Sequence, residues 1–285
     1  MKPFKTIPID KLHAFEGHPY KVLDNEEMNA LIESIQQSGV TTPLLVRPME
    51  GTADEYEVIS GHRRLHAAQK AGLKTIPAFI HAIDRDAAAI LLVDSNLHRE
   101  HILPSEKAFA YKLKMEAMNR QGQHTFSQVG KRLNSYEEMA DQVGESRNQI
   151  HRYIRLTHLS PKLLDLVDQG RIAFSVGVEL SYLPSEAQDH LAELIERDET
   201  TPSYSQAVRM HKEENESYPA ISYDRIDAIM AEEKPNQREQ IRLRRDEFSK
   251  YFLAHYDSEQ IKRDIIAGLD LLHRQRAREN DRDAR

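Results

Sequence analysis

The pattern of this chain changes once, near Pro104, and that change sets what it can fold into. Before it, short β-forming runs alternate with helical stretches. Ile7 to Ile9 is followed by a loop containing His18 and Pro19, then by a helix opening at Asp24 with Met28, Leu31, Ile32 and Ile35 on one face and Gly39 at its end. Further runs lie at Leu44 to Arg47, Tyr56 to Ile59 and Ile76 to Ile80. After Pro104 strand signals nearly vanish and helix starts become legible. Pro104 opens a helix over 105–120 with Phe109, Leu113 and Met115 or Met118 inward, ended by Gly122. Ser135 with Glu138 and Ser146 with Gln149 form capping boxes, Ser160 precedes Pro161, and Ser175 precedes another start. The expected architecture is α+β, with a small mixed α/β domain over 1–103, an all-helical domain over 104–212, and a linker with a small helical unit over 213–285.

The stretch 213–237 is polar and includes Pro219 and Pro235, as a linker would. Beyond it come Phe248, Tyr251 and Phe252, then a helix capped at Asp257 or Ser258 and running through Arg278. On that helix Ile261, Ile265, Leu269 and Leu272 recur as an apolar seam. The seam packs either on the 248–252 segment or on a second copy of the chain, and a unit this small favours the dimer.

Composition narrows the function classes. No apolar run approaches the roughly 18 residues of a membrane span, and the first residues, MKPFKTIPIDKL, lack the apolar centre of a signal peptide, so a cytoplasmic protein without a membrane partner is expected. Cysteine is absent, which excludes disulfides, thiolate zinc sites and cysteine nucleophiles. The 14 histidines are scattered; His62 with His66, and His98 with His101, have helical spacing but no third ligand, so zinc is not expected. A net charge of −7 argues against nonspecific coating of nucleic acid and permits a locally basic reading surface.

The stretch Glu55 to Gly72, EYEVISGHRRLHAAQKAG, reads as a strand, a Ser-Gly turn and a helix that opens with two arginines. Leu65, Ala68 and Gln69 follow helical spacing and Gly72 takes the position after the C-cap. Gly61 lets a ligand approach the backbone, the helix start supplies free N–H groups and positive dipole, and Arg63 and Arg64 add forked donors for phosphate oxygens. The alternative is an ordinary turn with solvated arginines.

Tyr136 to Thr157, YEEMADQVGESRNQIHRYIRLT, has helix-turn-helix spacing: Ala140 where the helices cross, Gly144 at the turn, Ile150 as the apolar lock, and Met139, Val143 and Ile154 filling the core. Ser146 caps the second helix, whose polar side presents Arg147, Asn148, Gln149, His151, Arg152 and Arg155. Arginine, asparagine and glutamine read guanine or adenine edges bidentately, while Arg152, Arg155 and capped helix starts such as that at Ser175 suit phosphates. The alternative is a solvated face of a helical bundle.

The ordered motifs GVTTPLLVRP (Gly39 to Pro48), GHRRLHAAQKAG (Gly61 to Gly72) and SNLHREHILPSEKA (Ser95 to Ala108), with the helix-turn-helix and GRIAFSVGVEL (Gly170 to Leu180) behind them, resemble the ParB partition-protein family over roughly residues 5 to 185. The resemblance implies a ParB-like N-terminal nucleotide-binding domain ahead of a domain that reads double-stranded DNA at a palindromic, centromere-like site. It also implies a homodimer, a ParA-type ATPase partner, and CTP with Mg2+ that closes a sliding clamp. By position, Thr42 to Arg47 would line the base and sugar side, and Ser60, Gly61, His62, Arg63 and Arg64 the phosphates. Asn96 would face the metal, with Arg99 and Glu100 in the same pocket.

Two positions depart from the family pattern. His62 stands where the family has glutamate, and Ser95 replaces the acid before Asn96. Both acids would serve magnesium or water, so nucleotide binding with slow or absent hydrolysis is expected. Asp94 is one residue away, and as a strand-like neighbour it would point to the opposite face. A transcription or replication regulator without a partition role is the alternative; a nuclease fits less well because the pocket motifs are basic rather than carboxylate-rich.

Overall fold

The computed structural model describes residues 4–97, 99, 101–124, 131–216, 221–232 and 258–283. Met1–Glu232 forms one compact unit and Glu233–Arg285 a second. In the first, β1 (Lys5–Pro8), β2 (Leu12–Ala14), β3 (Leu44–Pro48), β4 (Tyr56–Ser60) and β5 (Thr75–Ile80) make a sheet in the order β1-β5-β3-β4-β2. It is mixed: β1 with β5 and β3 with β4 are antiparallel, while β3 with β5 and β2 with β4 are parallel.

Successive side chains point to opposite faces of the sheet, and helices cover both. Leu44, Val46 and Val58 meet α1 (Glu26–Ser38) and α2 (His62–Lys70) through Met28, Ile35, Leu65 and Ala68. Leu45 and Ile59 face the other way, toward Ala88, Leu92 and Val93 of α3 (Arg85–Asn96) and Ala110 and Ala117 of α4 (Pro104–His124). Burial on both sides explains why Tyr56 to Ile59 is a continuous buried run.

Asn25, not Asp24, caps α1, its Oδ1 accepting the Met28 N–H at 3.0 Å. Asp24 instead pairs with His66 at 2.8 Å and Lys70 at 2.6 Å, tying the loop to α2. On α2 the inward residues are Leu65, Ala67 and Ala68, and Gln69 is exposed. The chain through Asp94, Ser95 and Asn96 is helix α3, capped by Asp84, rather than strand-like.

The helical part continues with α5 (Lys131–Val143), α6 (Arg147–Leu156), α7 (Pro161–Asp168), α8 (Phe174–Leu180), α9 (Ser185–Asp198), α10 (Tyr204–Glu216) and α11 (Tyr223–Ala231). On α4 the buried stripe runs through Ala108, Tyr111 and Met115, which turns Phe109 outward, and the helix passes Gly122 without ending. Ser135 lies inside α5, so the cap expected there is absent. Ser160 caps α7 by position only, and Ala173 rather than Ser175 precedes α8. A Cβ at Gly177 would sit 2.8 Å from Val167 Cγ2, so α8 packs closely on α7. Part of the stretch expected to be a linker is packed: Ile226, Ile229 and Met230 of α11 are buried in the core around α9 and α10.

The second unit is described through α12 (Ser258–Asp283), where Ile266, Leu269, Leu271 and Leu272 are exposed. Phe248, Tyr251 and Phe252 lie outside the described residues. Among the described residues no helix is long and apolar enough to cross a membrane.

Candidate functional site

β4 ends at Ser60, and Gly61 turns the chain into α2 with φ +105°. A Cβ there would lie 2.3 Å from Leu44 Cδ2, so glycine is favoured by conformation and any side chain would have to push the buried Leu44 aside. The result is a cleft of about 250 Å³ beside the start of α2, lined by Ser60, Gly61, His62, Arg63, Arg64, Leu31, Asn96 and Arg99 with His18, Tyr20, Lys21 and Val22 of the loop after β2. The volume falls just below the roughly 300–1,000 Å³ usual for ligand sites, enough for the phosphate end of a nucleotide with the remainder outside it.

The cleft is basic. Arg63 pairs with Glu27 of α1 at 3.0 Å. Arg64 donates from Nη1 to the carbonyl oxygens of Thr42 at 2.6 Å and Pro43 at 2.8 Å, and burial lowers its pKa. Arg99 lies over the Tyr20 ring at 5.6 Å. Lys21 reaches Asp165 at 3.2 Å and Asp168 at 3.1 Å, both on α7. Burial pulls the His62 imidazole down to about 3, with His18 contributing, and also lowers His18, against a main-chain hydrogen bond to Tyr20. Burial raises the Tyr20 phenol, and its hydroxyl is buried without a hydrogen-bond partner. A glycine cradle, free helix N–H groups, guanidinium groups and an unsatisfied hydroxyl together fit an anionic, oxygen-rich ligand.

The structure brings Ser60, Gly61, His62, Arg63, Arg64, Asn96 and Arg99 together here. Thr42 is adjacent only through its carbonyl oxygen on Arg64. Arg47 is a correction: it is buried, with Nε on Glu57 Oε2 at 2.7 Å and Nη1 on Glu50 at 3.3 Å, and is spent within the sheet. Glu100 lies outside the described residues. Asn96 donates from Nδ2 to Leu92 O at 2.8 Å and so offers one amide oxygen, and the described lining contains no carboxylate. These residues do not build a magnesium site, which ordinarily uses one or two carboxylates. Asp94 is held elsewhere, accepting at 2.5 Å from Lys114, whose side chain is 1% exposed. The sequence reading missed His18, Tyr20, Lys21 and Val22 as lining; the signal was an aromatic and two basic residues bunched around Pro19 between two elements.

The second site is the helix pair α5–α6. Gly144 turns at φ +70°, and its N–H and that of Glu145 both go to Ala140 O at 2.9 and 3.2 Å, closing α5. Met139 and Ile150 pack with Tyr111 and Met115 of α4. Ser146 Oγ accepts the Gln149 N–H at 3.2 Å and caps α6. The exposed side of α6 presents Ser146, Arg147, Asn148 and His151, with Gln149 and Arg152 partly exposed. His151 stacks on Tyr136 at 3.9 Å, and burial together with Arg147 lowers its pKa. Arg152 lies over Phe174 at 5.0 Å. Glu145, the acid nearest this face, pairs with Lys107 of α4 instead.

Arg155 is partly exposed and already has partners within the chain. Its Nε donates to Ser181 Oγ at 3.0 Å, its Nη2 to Ser181 O at 2.6 Å, and the guanidinium lies 3.9 Å from the Tyr182 ring centroid. It fixes α6 against the end of α8 before it meets any ligand. Ser175 is the second residue of α8 and half-buried, not its cap. Arg152, Arg155, His151, His158 and Tyr182 border a groove of about 220 Å³. His158 and Tyr182 were not singled out from the sequence.

Comparison with known proteins adds a family. The model of the ParB N-terminal domain matches residues 1–97 and that of the ParB HTH domain residues 130–213. The chromosome-partitioning protein ParB of Caulobacter vibrioides is 31% identical over 168 residues, 59% of this chain and 51% of that protein, so the match spans about half the relative's length. Two solved structures of the C-terminally truncated Caulobacter crescentus ParB resemble the chain. The one with the centromeric parS site has a TM-score of 0.41 at 24% identity, covering 73% of this chain and 99% of that one. The one with CTP-gamma-S has a TM-score of 0.32 at 28% identity, covering 67% and 98%. With the N-terminal domain and the helix-turn-helix both matched, and in this order, the chain belongs to the ParB family.

Proposed function

We propose that this chain is a sequence-specific DNA-binding partition protein that recognises a palindromic, centromere-like site as a homodimer and acts as a clamp gated by CTP. The carrying observation is that one compact unit holds both a basic cleft at a glycine-cradled helix start and a capped helix α6 with base-reading side chains exposed. In the cleft the α2 N–H groups, Arg63, Arg64 and Arg99 would hold the triphosphate, and the unsatisfied Tyr20 hydroxyl is a further donor. On the DNA, Arg147, Asn148 and Gln149 would reach base edges and Arg152 the backbone. The exposed apolar side chains of α12 support a homodimer, and partition would engage a ParA-type ATPase.

Binding of the four labelled ribonucleoside triphosphates, with and without palindromic DNA, tests this reading; retention of CTP, enhanced by DNA, is expected, and equal retention of none would overturn it. A footprint that widens beyond the primary site when nucleotide is added supports the clamp, whereas a fixed footprint would leave a local regulator. With His62 and Ser95 in place of the family's acids, slow or absent hydrolysis is expected, and brisk phosphate release from CTP with cognate DNA would refute it.

A further inference from the structure

We propose that His18 and His62 are phosphate-contacting residues that accept a proton when the anionic ligand enters, so that polyphosphate and proton bind this cleft together. The inference deepens the nucleotide reading and rests on it. Both rings line the cleft, with centroids 3.7 Å apart and planes tilted by 36°. His62 is the first residue of α2, at the same helix start as Arg63 and Arg64. Its Nε2 accepts the Phe15 N–H at 3.4 Å, which places the proton of the neutral ring on Nδ1, so a proton is added to His62 only at Nε2 and with the loss of that long hydrogen bond.

Before a ligand enters, the surroundings suppress protonation. Burial acts first on each ring, and Arg99 adds to it at His18. The charged and titratable groups around the pair are Arg63 and Arg64 on α2, Arg99 before α4, and Lys21 and Tyr20 on the loop. The nearby acids are committed: Glu27 to Arg63, Asp165 and Asp168 to Lys21, Glu106 to the Lys21 N–H at 2.8 Å, and Asp94 to Lys114. Two neutral imidazoles are thus held among cations. An opposite charge within roughly 4–6 Å favours the protonated ring, so a polyphosphate reverses the local field. Rings this close share one proton, because a second would face a like charge at the same distance. The proton comes from solvent and returns to it when the ligand leaves, and no covalent bond changes.

The test is isothermal titration of CTP, and separately of inorganic tripolyphosphate, into the full chain at pH 7 in buffers of low and high ionisation enthalpy. Wild type should take up about half to one proton per site, seen as a buffer-dependent heat. The His18→Gln/His62→Gln double variant should bind more weakly at pH 7 and lose that dependence. His18→Gln alone replaces it should the double variant fail to fold. Ring signals in NMR titrations of the wild type should move from below the usual histidine range to above it on binding. Buffer-independent heats with ligand bound, or uptake unchanged in the variants, would overturn the proposal and leave nucleotide binding standing. Failure of both probes to bind at any pH would instead bring down the nucleotide reading and this inference with it.

Discussion

Gly61 carries the cleft at the scale of single residues. Replacing it with alanine combines a φ of +105° with a Cβ 2.3 Å from Leu44 Cδ2, and both the strain and the overlap oppose folding. Gly61→Ala is expected to cost about 2–3 kcal/mol in chemical denaturation and to disturb the start of α2. His62 gives a pH prediction. Its folded pKa lies near 3 against an ordinary 6.5, so between these values the unfolded chain binds the proton first and stability falls as pH falls. The loss is at most about 1.4 kcal/mol per pH unit, and the gap in urea midpoint between pH 7 and 5.5 should narrow in His62→Gln. On α6, Arg147→Ala or Gln149→Ala should relax site preference by about 1–3 kcal/mol at one base position, measured against a panel of operator variants. Residue types announced these roles well where the backbone alone sets position, as at Gly61 and Ser146. They announced them poorly where a partner decides, as for Arg47, which Glu57 on the adjacent strand takes into the sheet.

Between elements, contacts override what periodicity suggests. The helix α3 was hidden because a short apolar run such as Ala87 to Val93 satisfies strand and buried helix equally. Its true form places Asp94 where Lys114 of α4 claims it. In the same way Arg155, which the polar face of α6 offers to DNA, is spent on Ser181 and Tyr182 at the end of α8. Arg155→Lys is therefore expected to lower thermal stability, because a single ammonium cannot supply both hydrogen bonds and the ring contact. It should weaken DNA binding by shifting α6, and hydrogen exchange at the α6–α8 contact would rise together with that loss. A phosphate contact alone would leave exchange in the free protein unchanged. The capping box at Ser146 was legible because it is local; the one expected at Ser135 failed because α5 begins a turn earlier, at Lys131.

Across the whole molecule, the break in pattern at Pro104 marks where the sheet gives way to helices, and Pro104 does open α4. What the pattern did not reveal is the joint built there. The Asp168 carboxylate accepts the Ser105 N–H at 2.9 Å and its hydroxyl at 2.5 Å, while Glu106 accepts the N–H groups of Lys21 and Leu103 at 2.8 and 3.1 Å. Leu103 with Glu106 is local, but Asp168 with Ser105 and Glu106 with Lys21 are far apart in the chain, so no local window contains them. Asp168→Ala strands the start of α4 and leaves the Lys21 side chain only its exposed partner Asp165, and should cost about 2–3 kcal/mol in thermal or urea unfolding.

α7 is moored by two kinds of attachment, one to the wall of the cleft at Lys21 and one to the start of α4 at Ser105. The ammonium of Lys21 is 42% exposed and meets Asp165, itself 60% exposed, so dissolved ions weaken that link. The hydrogen bonds of Asp168 to Ser105 lie inside, at 6% and 3% exposure, and feel salt much less. Rising ionic strength therefore slackens the outer rope while the inner knot stays tied, so a brackish solution loosens the lip of the hollow without letting the two halves of the unit drift apart.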